Sequence, residues 1–357
     1  MASSINPGQV VTSAVFSQWR DARRGSTPAE NLTNPYWVWL IRSEESSWAA
    51  NEHFGGPSSF GGNPCWSADR FGQSSTLLPD GRQISIAGEH EDHYDPDFFI
   101  YNDIFIHHPD DRIEILGFPI ETFPPTDFHS ATLFEDEIIV IGNLGYPDQR
   151  QVGSTQVLRV SPSDWSIQTQ VTNGKGPGWI SSHEASLEGD SIIIRSGEVW
   201  VGGEIGLLEN FDDWKLDLNS WTWEQLTQRK VTIIEALRED GEANQLFEME
   251  MWSFRQEYGD LAGEDASGEV KPKDIEAYLE RYEPSSLAFE TVEAEDEGSS
   301  ALIQVDDIQV RFDEGSYSIR MTILGSLDEE KIALLSEDLR SKLEKAEGTP
   351  YKIRRLK

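Results

Sequence analysis

Short runs of β-branched and aromatic residues recur along the first two thirds of the chain, and polar turns separate them. The clearest copy is Phe128–Gly142, in which a histidine and small residues precede the turn Glu135-Asp136 and an apolar run that ends on glycine. Runs of this kind between turn residues predict antiparallel strands joined by hairpins. The same order of features occurs around Thr76 and around Ser186.

The three copies form an internal repeat. Aligned on Thr76, Thr132 and Ser186, they lie 56 and 54 residues apart. A repeat of this length corresponds to one small antiparallel sheet, which must stack on its neighbours because it cannot bury both faces alone. The third copy continues through Asp213–Leu218 and Trp221–Leu226, which predicts a four-stranded meander.

Over residues 70–228 these copies resemble kelch repeats, the blades of a β-propeller. The resemblance rests on the opening His-Ser-Ala-Thr-Leu, a strand that ends in glycine, and the third copy's ending, with Trp223 at the family's late tryptophan. Ile113 and Ile167 fill that place in the other copies, and the family's paired glycines are reduced to Gly88, Gly142 and Gly197. The resemblance implies a propeller blade whose commonest role is protein interaction, although some kelch propellers are enzymes with metal centres.

Three blades do not close a propeller ring, which typically has about four to eight. Closure would need residues 36–66 and the C-terminal region, or a second chain; otherwise the blades form an open stack. We therefore predict an all-β, kelch-like partial β-propeller followed by an α+β C-terminal domain. The predicted boundaries are an N-terminal segment packed on the repeats (1–65), three repeats (66–116, 117–173 and 174–229) and the α+β domain (230–357).

Outside the repeats the pattern changes. Tyr36–Ile41 is apolar enough for a buried strand or the start of a buried helix. Apolar residues from Ile233 to Phe254 predict one or two helices, and Lys273–Tyr282 predicts a short one. Leu327–Ala346 has apolar residues on one helical face. The remaining strand candidates are Leu287–Val292, Ala301–Phe312, Tyr317–Leu324 and Pro350–Leu356, with turns predicted at Asp306-Asp307 and Asp313-Glu314-Gly315.

Composition narrows the classes of partner. The 357 residues are 37% hydrophobic and carry a formal charge of −35, with 31 acidic and 16 basic residues in 230–357 and the remaining excess upstream. An evenly acidic surface repels nucleic acid and anionic membranes, so we expect neither as a partner. A saline habitat and a basic partner protein both explain the charge.

Compartment and membrane association follow from simpler features. No apolar window reaches about 18 residues, so no span is expected. The N-terminus lacks a signal pattern and Cys65 is the single cysteine, which together predict a cytoplasmic protein. Cys65 could be a nucleophile or a small buried apolar residue.

The densest group of candidate metal ligands lies in the loop that contains His90, His93 and Asp95. Its nitrogen and oxygen donors could hold a divalent cation, or its carboxylates could cap turns. His129 and His183 occupy equivalent repeat positions, which fits either a bridge between neighbouring strands or a shared site. If they converged with His90 beside Asp127 or Glu184, a bound metal could activate water. No cofactor is predicted, although a divalent metal is allowed.

Aromatic residues in the loops are candidates for partner binding, because aromatics supply anchor area. These residues, which could equally pack between blades, are Phe98, Phe99, Tyr101, Phe123 and Trp179. We expect a non-catalytic protein-interaction module that binds a basic protein as an inhibitor or immunity factor would, with homodimerisation allowed. The alternative is a metal-dependent enzyme with a His/Asp site on the blade loops.

Overall fold

The computed structural model describes residues 11–57, 62–91, 98–259, 268–292 and 300–357. The chain divides into two compact units, Met1–Gln228 and Arg229–Lys357. Over these described residues the fold consists mainly of antiparallel sheet, with six sheets, 34% strand and 20% helix, which confirms the prediction of a mainly β architecture. In the described part of the chain, no helix is both long and apolar enough to cross a membrane.

Three helices begin the first unit: α1 (Ser13–Trp19), α2 (Pro35–Ser43) and α3 (Ser47–Phe54). The apolar run that begins at Tyr36 is therefore helical rather than extended. Asn34 explains this choice, because its side chain accepts a hydrogen bond from the Trp37 amide and Pro35 occupies the first helical position. A short strand, β1 (Glu30–Asn31), lies between α1 and α2.

The three repeats form three antiparallel sheets in which the four successive long strands are neighbours. Sheet 1 contains β2 (Ser74–Leu77), β3 (Gln83–Ile86), β6 (Asp103–His107) and β7 (Ile113–Gly117), with β1 added beside β7. Sheet 2 contains β8 (Ser130–Phe134), β9 (Glu137–Ile141), β10 (Val157–Val160) and β11 (Ile167–Thr169). Sheet 3 contains β13 (Glu184–Glu188), β14 (Ser191–Arg195), β17 (Trp214–Asp217) and β18 (Thr222–Gln225).

Smaller elements occupy the loops between the second and third strands. Sheet 1 has the hairpin β4 (Glu89–His90) and β5 (Phe99–Ile100), and sheet 2 has a 3₁₀ turn at Pro147–Gln149. Sheet 3 has the hairpin β15 (Glu198–Gly202) and β16 (Gly206–Glu209). This second hairpin pairs with β12 (Trp179–Ser181), the strand that leads into sheet 3, and was not predicted from the sequence.

The sheets stack face to face, with sheet 2 in the middle. One face of β9 (Ile138 and Val140) packs with Ile84 and Ile106 of sheet 1. The other face, which includes Ile139, packs with sheet 3, on Ile192, Ile194, Trp214 and Leu216. Successive residues of a strand point to opposite faces, so a sheet buried on both sides needs an unbroken apolar run such as the one in β9.

The two ends of the stack are covered differently. The outer face of sheet 1 packs its Phe105 and Ile115 against Trp37 of α2 and against Trp66, whose ring stacks on Trp37 at 4.4 Å. On sheet 3, Lys215 lies between two core residues and therefore points outward, where it pairs with Glu224 at 3.4 Å. A polar outer face is typical of the last repeat in a stack.

The second unit is a six-stranded antiparallel sheet with helices against it. Its strands are β19 (Thr232–Arg238), β20 (Glu290–Val292), β21 (Ala301–Val305), β22 (Ile308–Glu314), β23 (Ile319–Leu324) and β24 (Tyr351–Arg355), in the order β20-β21-β22-β23-β19-β24. Its helices are α4 (Leu246–Tyr258), α5 (Ile275–Leu279) and α6 (Glu329–Glu347). Leu335, Leu339 and Leu343 of α6 pack on Met321 and Val310 of the sheet.

One sequence prediction in this unit needs correction. The predicted helix is wrong for Ile233 and Leu237, which belong to β19, a strand that lies between β23 and β24 and is buried over most of its length. Asp306 and Asp307, predicted as a turn, both adopt left-handed backbone conformations and form the two-residue turn of the β21–β22 hairpin.

Candidate functional site

Successive sheets of the first unit are joined by one repeated backbone contact. The Phe128 amide donates a hydrogen bond to the Gly72 carbonyl at 2.9 Å, and the Ser182 amide donates to the Phe128 carbonyl at 2.8 Å. All three residues have positive φ, at 60°, 48° and 53°. They are separated by the same 56 and 54 residues as the sequence repeat, so each repeat attaches to the next through an equivalent position.

The residues that follow these positions add a side-chain bridge. His129 Nε2 lies 2.7 Å from Ser74 Oγ of the preceding sheet, and His183 Nε2 lies 2.8 Å from Ser130 Oγ. Burial lowers the pKa of His129 to about 3, with a smaller contribution from His183, and burial lowers the pKa of His183 to about 4. Both rings are therefore neutral at pH 7 and bridge neighbouring sheets. Among the described residues, neither Nδ1 has a hydrogen-bond partner.

The predicted metal ligands are not brought together in the described structure. His90 is buried, with Nδ1 2.9 Å from the Asp69 carbonyl oxygen and Nε2 3.1 Å from Ser47 Oγ. His93 and Asp95 lie outside the described residues. Within the described ranges, no group of three or more His, Cys, Asp or Glu side chains could hold a metal ion. His90 therefore connects the first sheet to α3.

Two carboxylates near the junction between sheets 1 and 2 have raised pKa values. Burial raises the pKa of Glu89 to about 7, with further contributions from Asp127 and Glu91. Burial also raises the pKa of Asp127, although this carboxylate accepts a hydrogen bond of 2.6 Å from the Gly145 amide. The second oxygen of each carboxylate is buried and has no partner within the described ranges. The Asp127 carboxylate helps to position the loop backbone at Gly145, and its charge also acts on Glu89.

The aromatic residues proposed for partner binding fall into two classes. Tyr101 and Phe123 are buried in the cores of the unit, which supports the packing alternative for these two, whereas Trp179 is buried but also lines a cleft. Phe98 is 39% exposed and contacts Tyr146 edge to face at 5.7 Å. Phe99 is half-buried, and the guanidinium of Arg24 lies over its ring.

Cys65 also has a packing role. Its side chain is buried, and Sγ lies 3.8 Å from the Tyr36 hydroxyl. Burial raises the pKa of that hydroxyl well above its usual range. This is the environment of a small buried residue, the second of the two interpretations of Cys65.

A concave cleft of about 700 Å³ lies beside sheet 2 in the first unit. It lies between the loop after β9 and the connection from sheet 2 to sheet 3, and amide and hydroxyl side chains dominate its lining. These polar residues are Asn143, Gln149, Gln151, Ser154, Thr155, Gln156, Thr169, Gln170 and Thr172. Trp179 and Trp223 supply aromatic edges, and Asp148 is the charged residue among the described lining.

One side chain of the cleft lining has unused hydrogen-bonding capacity. Gln149 Oε1 is shielded from solvent and has no partner among the described residues. A buried acceptor left unpaired is costly, so a ligand donor that met Gln149 Oε1 after a rotation of this side chain would recover free energy. Sequence reasoning missed this cleft, although the polar run Asp148-Gln149-Arg150-Gln151 was visible as a signal.

Comparison with known proteins adds little. No family model matches the chain, and no curated protein matches it. Among solved structures the chain is similar to one described as "Structure of YjhT", over 71% of this chain and 80% of that one, with 12% sequence identity and a TM-score of 0.35. A likeness at this level carries no argument about fold or function.

Proposed function

We propose that this chain is a non-catalytic binding protein whose three stacked sheets are kelch-like blades, and that it binds a segment of a basic partner protein in the cleft beside sheet 2. The observation that carries the proposal is the amide-lined cleft with its unpaired Gln149 Oε1. A volume of about 700 Å³ lies within the range of ligand-binding pockets.

The lining favours a peptide. Asn and Gln side chains each offer a donor and an acceptor, which match the alternating N–H and C=O groups of an extended main chain. Gln149, Gln151, Gln156 and Gln170 place four such groups in one cleft. Loops held by a rigid scaffold are the usual location of binding residues.

Charge favours a basic partner. The formal charge of −35 attracts a positively charged protein and accelerates its association. Such attraction between exposed charges is screened as salt is added, with a Debye length of about 3 Å at 1 M. Binding that weakens steeply with salt is therefore expected.

The test is affinity capture from the source organism's lysate at 0.1 M and 1 M salt, quantified by mass spectrometry. Wild type is compared with Ser154→Trp, which fills the cleft, and with Gln149→Ala/Gln151→Ala. The matched control is Gln304→Ala/Gln309→Ala, which removes two amides from the second unit. We expect a basic protein that both cleft variants lose and the control retains. If every captured protein is held equally by all variants, the cleft is not the binding site.

A further inference from the structure

A second cavity of the first unit, of about 420 Å³, lies between the end of α2 and sheet 1. Its walls are apolar where Leu40 and Ile41 of α2 face Ala68 and Phe105. Leu40 and Phe105 are themselves buried, so this part of the cavity is a preformed apolar surface.

The rim of this cavity is acidic. Glu44, Glu45 and Asp69 are exposed and line it. Among the described residues, none of these three carboxylates forms an ion pair, and no lysine or arginine lines the cavity. Three negative charges around one opening produce a local field that favours a cation.

Two uncharged polar side chains also line this cavity. Ser85 is only 8% exposed, and no described residue hydrogen-bonds its hydroxyl. His107 also lines the cavity, and burial lowers its pKa, so its ring is neutral at pH 7 and can accept a hydrogen bond. The hydroxyl of a largely buried serine and a neutral imidazole in the lining of an acid-rimmed cavity suit a hydrogen-bond donor.

We infer that this cavity binds a lysine or arginine side chain of the basic partner. Such side chains have an apolar stem and a cationic head, and they bury the stem along apolar surface. Here the stem would contact Leu40 and Phe105, the head would donate to Ser85 Oγ, and the acidic rim would balance its charge. The inference rests on the proposed function, and it adds a second contact that is separate from the cleft.

The experiment measures binding of fluorescent hexa-arginine and hexa-lysine peptides to the full chain by anisotropy at 0.15 M salt. A hexa-citrulline peptide, with nearly the shape of arginine and no charge, reports binding without a cation. Glu44→Gln/Glu45→Gln/Asp69→Asn removes the rim charge, and Ala68→Phe blocks the cavity without changing charge. Glu121→Gln/Glu135→Gln/Asp136→Asn is the matched control, because these three acids are also exposed and lie elsewhere in the unit.

We expect both cavity variants to bind the better cationic peptide about tenfold more weakly, while the control changes affinity by less than about twofold. The tighter of the two peptides identifies the cationic group that the cavity prefers. Equal losses in the cavity and control triples, or unchanged binding in Ala68→Phe, would show general charge attraction and overturn the inference. Gln149→Ala/Gln151→Ala changes the cleft and leaves this cavity intact. If the peptide experiment overturned the inference about the cavity, loss of partner capture in that variant would therefore still support the proposed function of the cleft.

Discussion

His129 and His183 show how a buried histidine can serve as a neutral structural bridge. Each connects the first strand of its own sheet to a serine in the preceding one, and burial keeps both rings uncharged at pH 7. A proton on either ring would place a charge between two sheets, where desolvation makes it costly.

This arrangement predicts acid sensitivity. In the unfolded chain both histidines titrate near their ordinary pKa of about 6.5, whereas in the folded chain the pKa values are about 3 and 4. Below pH 6.5 the unfolded chain therefore binds protons that the folded chain does not, and stability falls with pH. We expect the free energy of unfolding of the first unit to decrease by about 2 kcal/mol per histidine between pH 7 and pH 5.

Urea unfolding of wild type and of His129→Gln/His183→Gln at both pH values checks this prediction. The double variant should be less stable at pH 7 but should lose less stability on acidification. The raised pKa of Glu89 acts in the opposite direction, and it is present in both proteins, so it cancels in the comparison. The control is His53→Gln, because His53 is exposed. The prediction fails if the double variant loses as much unfolding free energy between pH 7 and pH 5 as wild type does.

At the scale of elements, the junction between sheets 1 and 2 depends on a close backbone approach at Gly72. A Cβ at this position would lie 2.3 Å from the Phe128 backbone nitrogen, the same atom that donates to the Gly72 carbonyl. Gly189, in the β13–β14 turn, has the same φ of +60° but no atom within 4 Å of such a Cβ. A comparison of alanine substitutions at these two glycines therefore separates the contribution of backbone strain to stability from that of packing between the sheets.

We therefore expect Gly189→Ala to cost about 1 kcal/mol, the usual cost of the left-handed conformation. Gly72→Ala should cost that amount and at least about 2 kcal/mol more, because the sheets must separate. Chemical denaturation of both variants measures the difference. Equal losses of unfolding free energy in the two variants would show that sheets 1 and 2 accommodate the added methyl group without loss of packing.

Much of the arrangement of strands into sheets was predictable from the sequence. The repeat around Thr76, Thr132 and Ser186 and the meander order correspond to sheets 1 to 3, because local turn chemistry and alternation decide hairpin pairing. The β15–β16 hairpin was missed since its strands pair with β12, a contact made outside the meander. Ile233 and Leu237 have spacing that suits a helix, but pairing with two flanking strands overrides it.

The candidate site was less predictable than the fold. Aromatic loop residues such as Tyr101 and Phe123 are buried, because a stack of sheets uses large side chains to fill the gaps between them. Gln149 lies in a polar run that is visible in the sequence and Ser85 in a predicted strand, but glutamine and serine do not by themselves indicate a site. Their importance comes from a pocket and from missing partners, which only three-dimensional placement reveals.

For the whole molecule, the two compact units have separate hydrophobic cores. Leu343 belongs to the core of the second unit, and Leu216 belongs to the core between sheets 2 and 3. Both side chains are fully buried. Units with their own cores unfold as cooperative domains.

We predict two calorimetric transitions that can be assigned by matched substitutions. Leu343→Ala should lower the midpoint of one transition and Leu216→Ala that of the other, each through a loss of about 2–5 kcal/mol. Differential scanning calorimetry at pH 7 makes the measurement. A single transition that both variants shift equally would show that the two units unfold as one.

The loops between the second and third strands have a practical consequence for engineering. One contains the β4–β5 hairpin, one a 3₁₀ turn and one the longer β15–β16 hairpin, yet the strands around them pair in the same way. Inserted sequence at these places need not disturb the ladder. The chain is therefore suited to peptide grafting, with the tip of the β15–β16 hairpin, at Gly202-Gly203, as the first insertion point for a display scaffold.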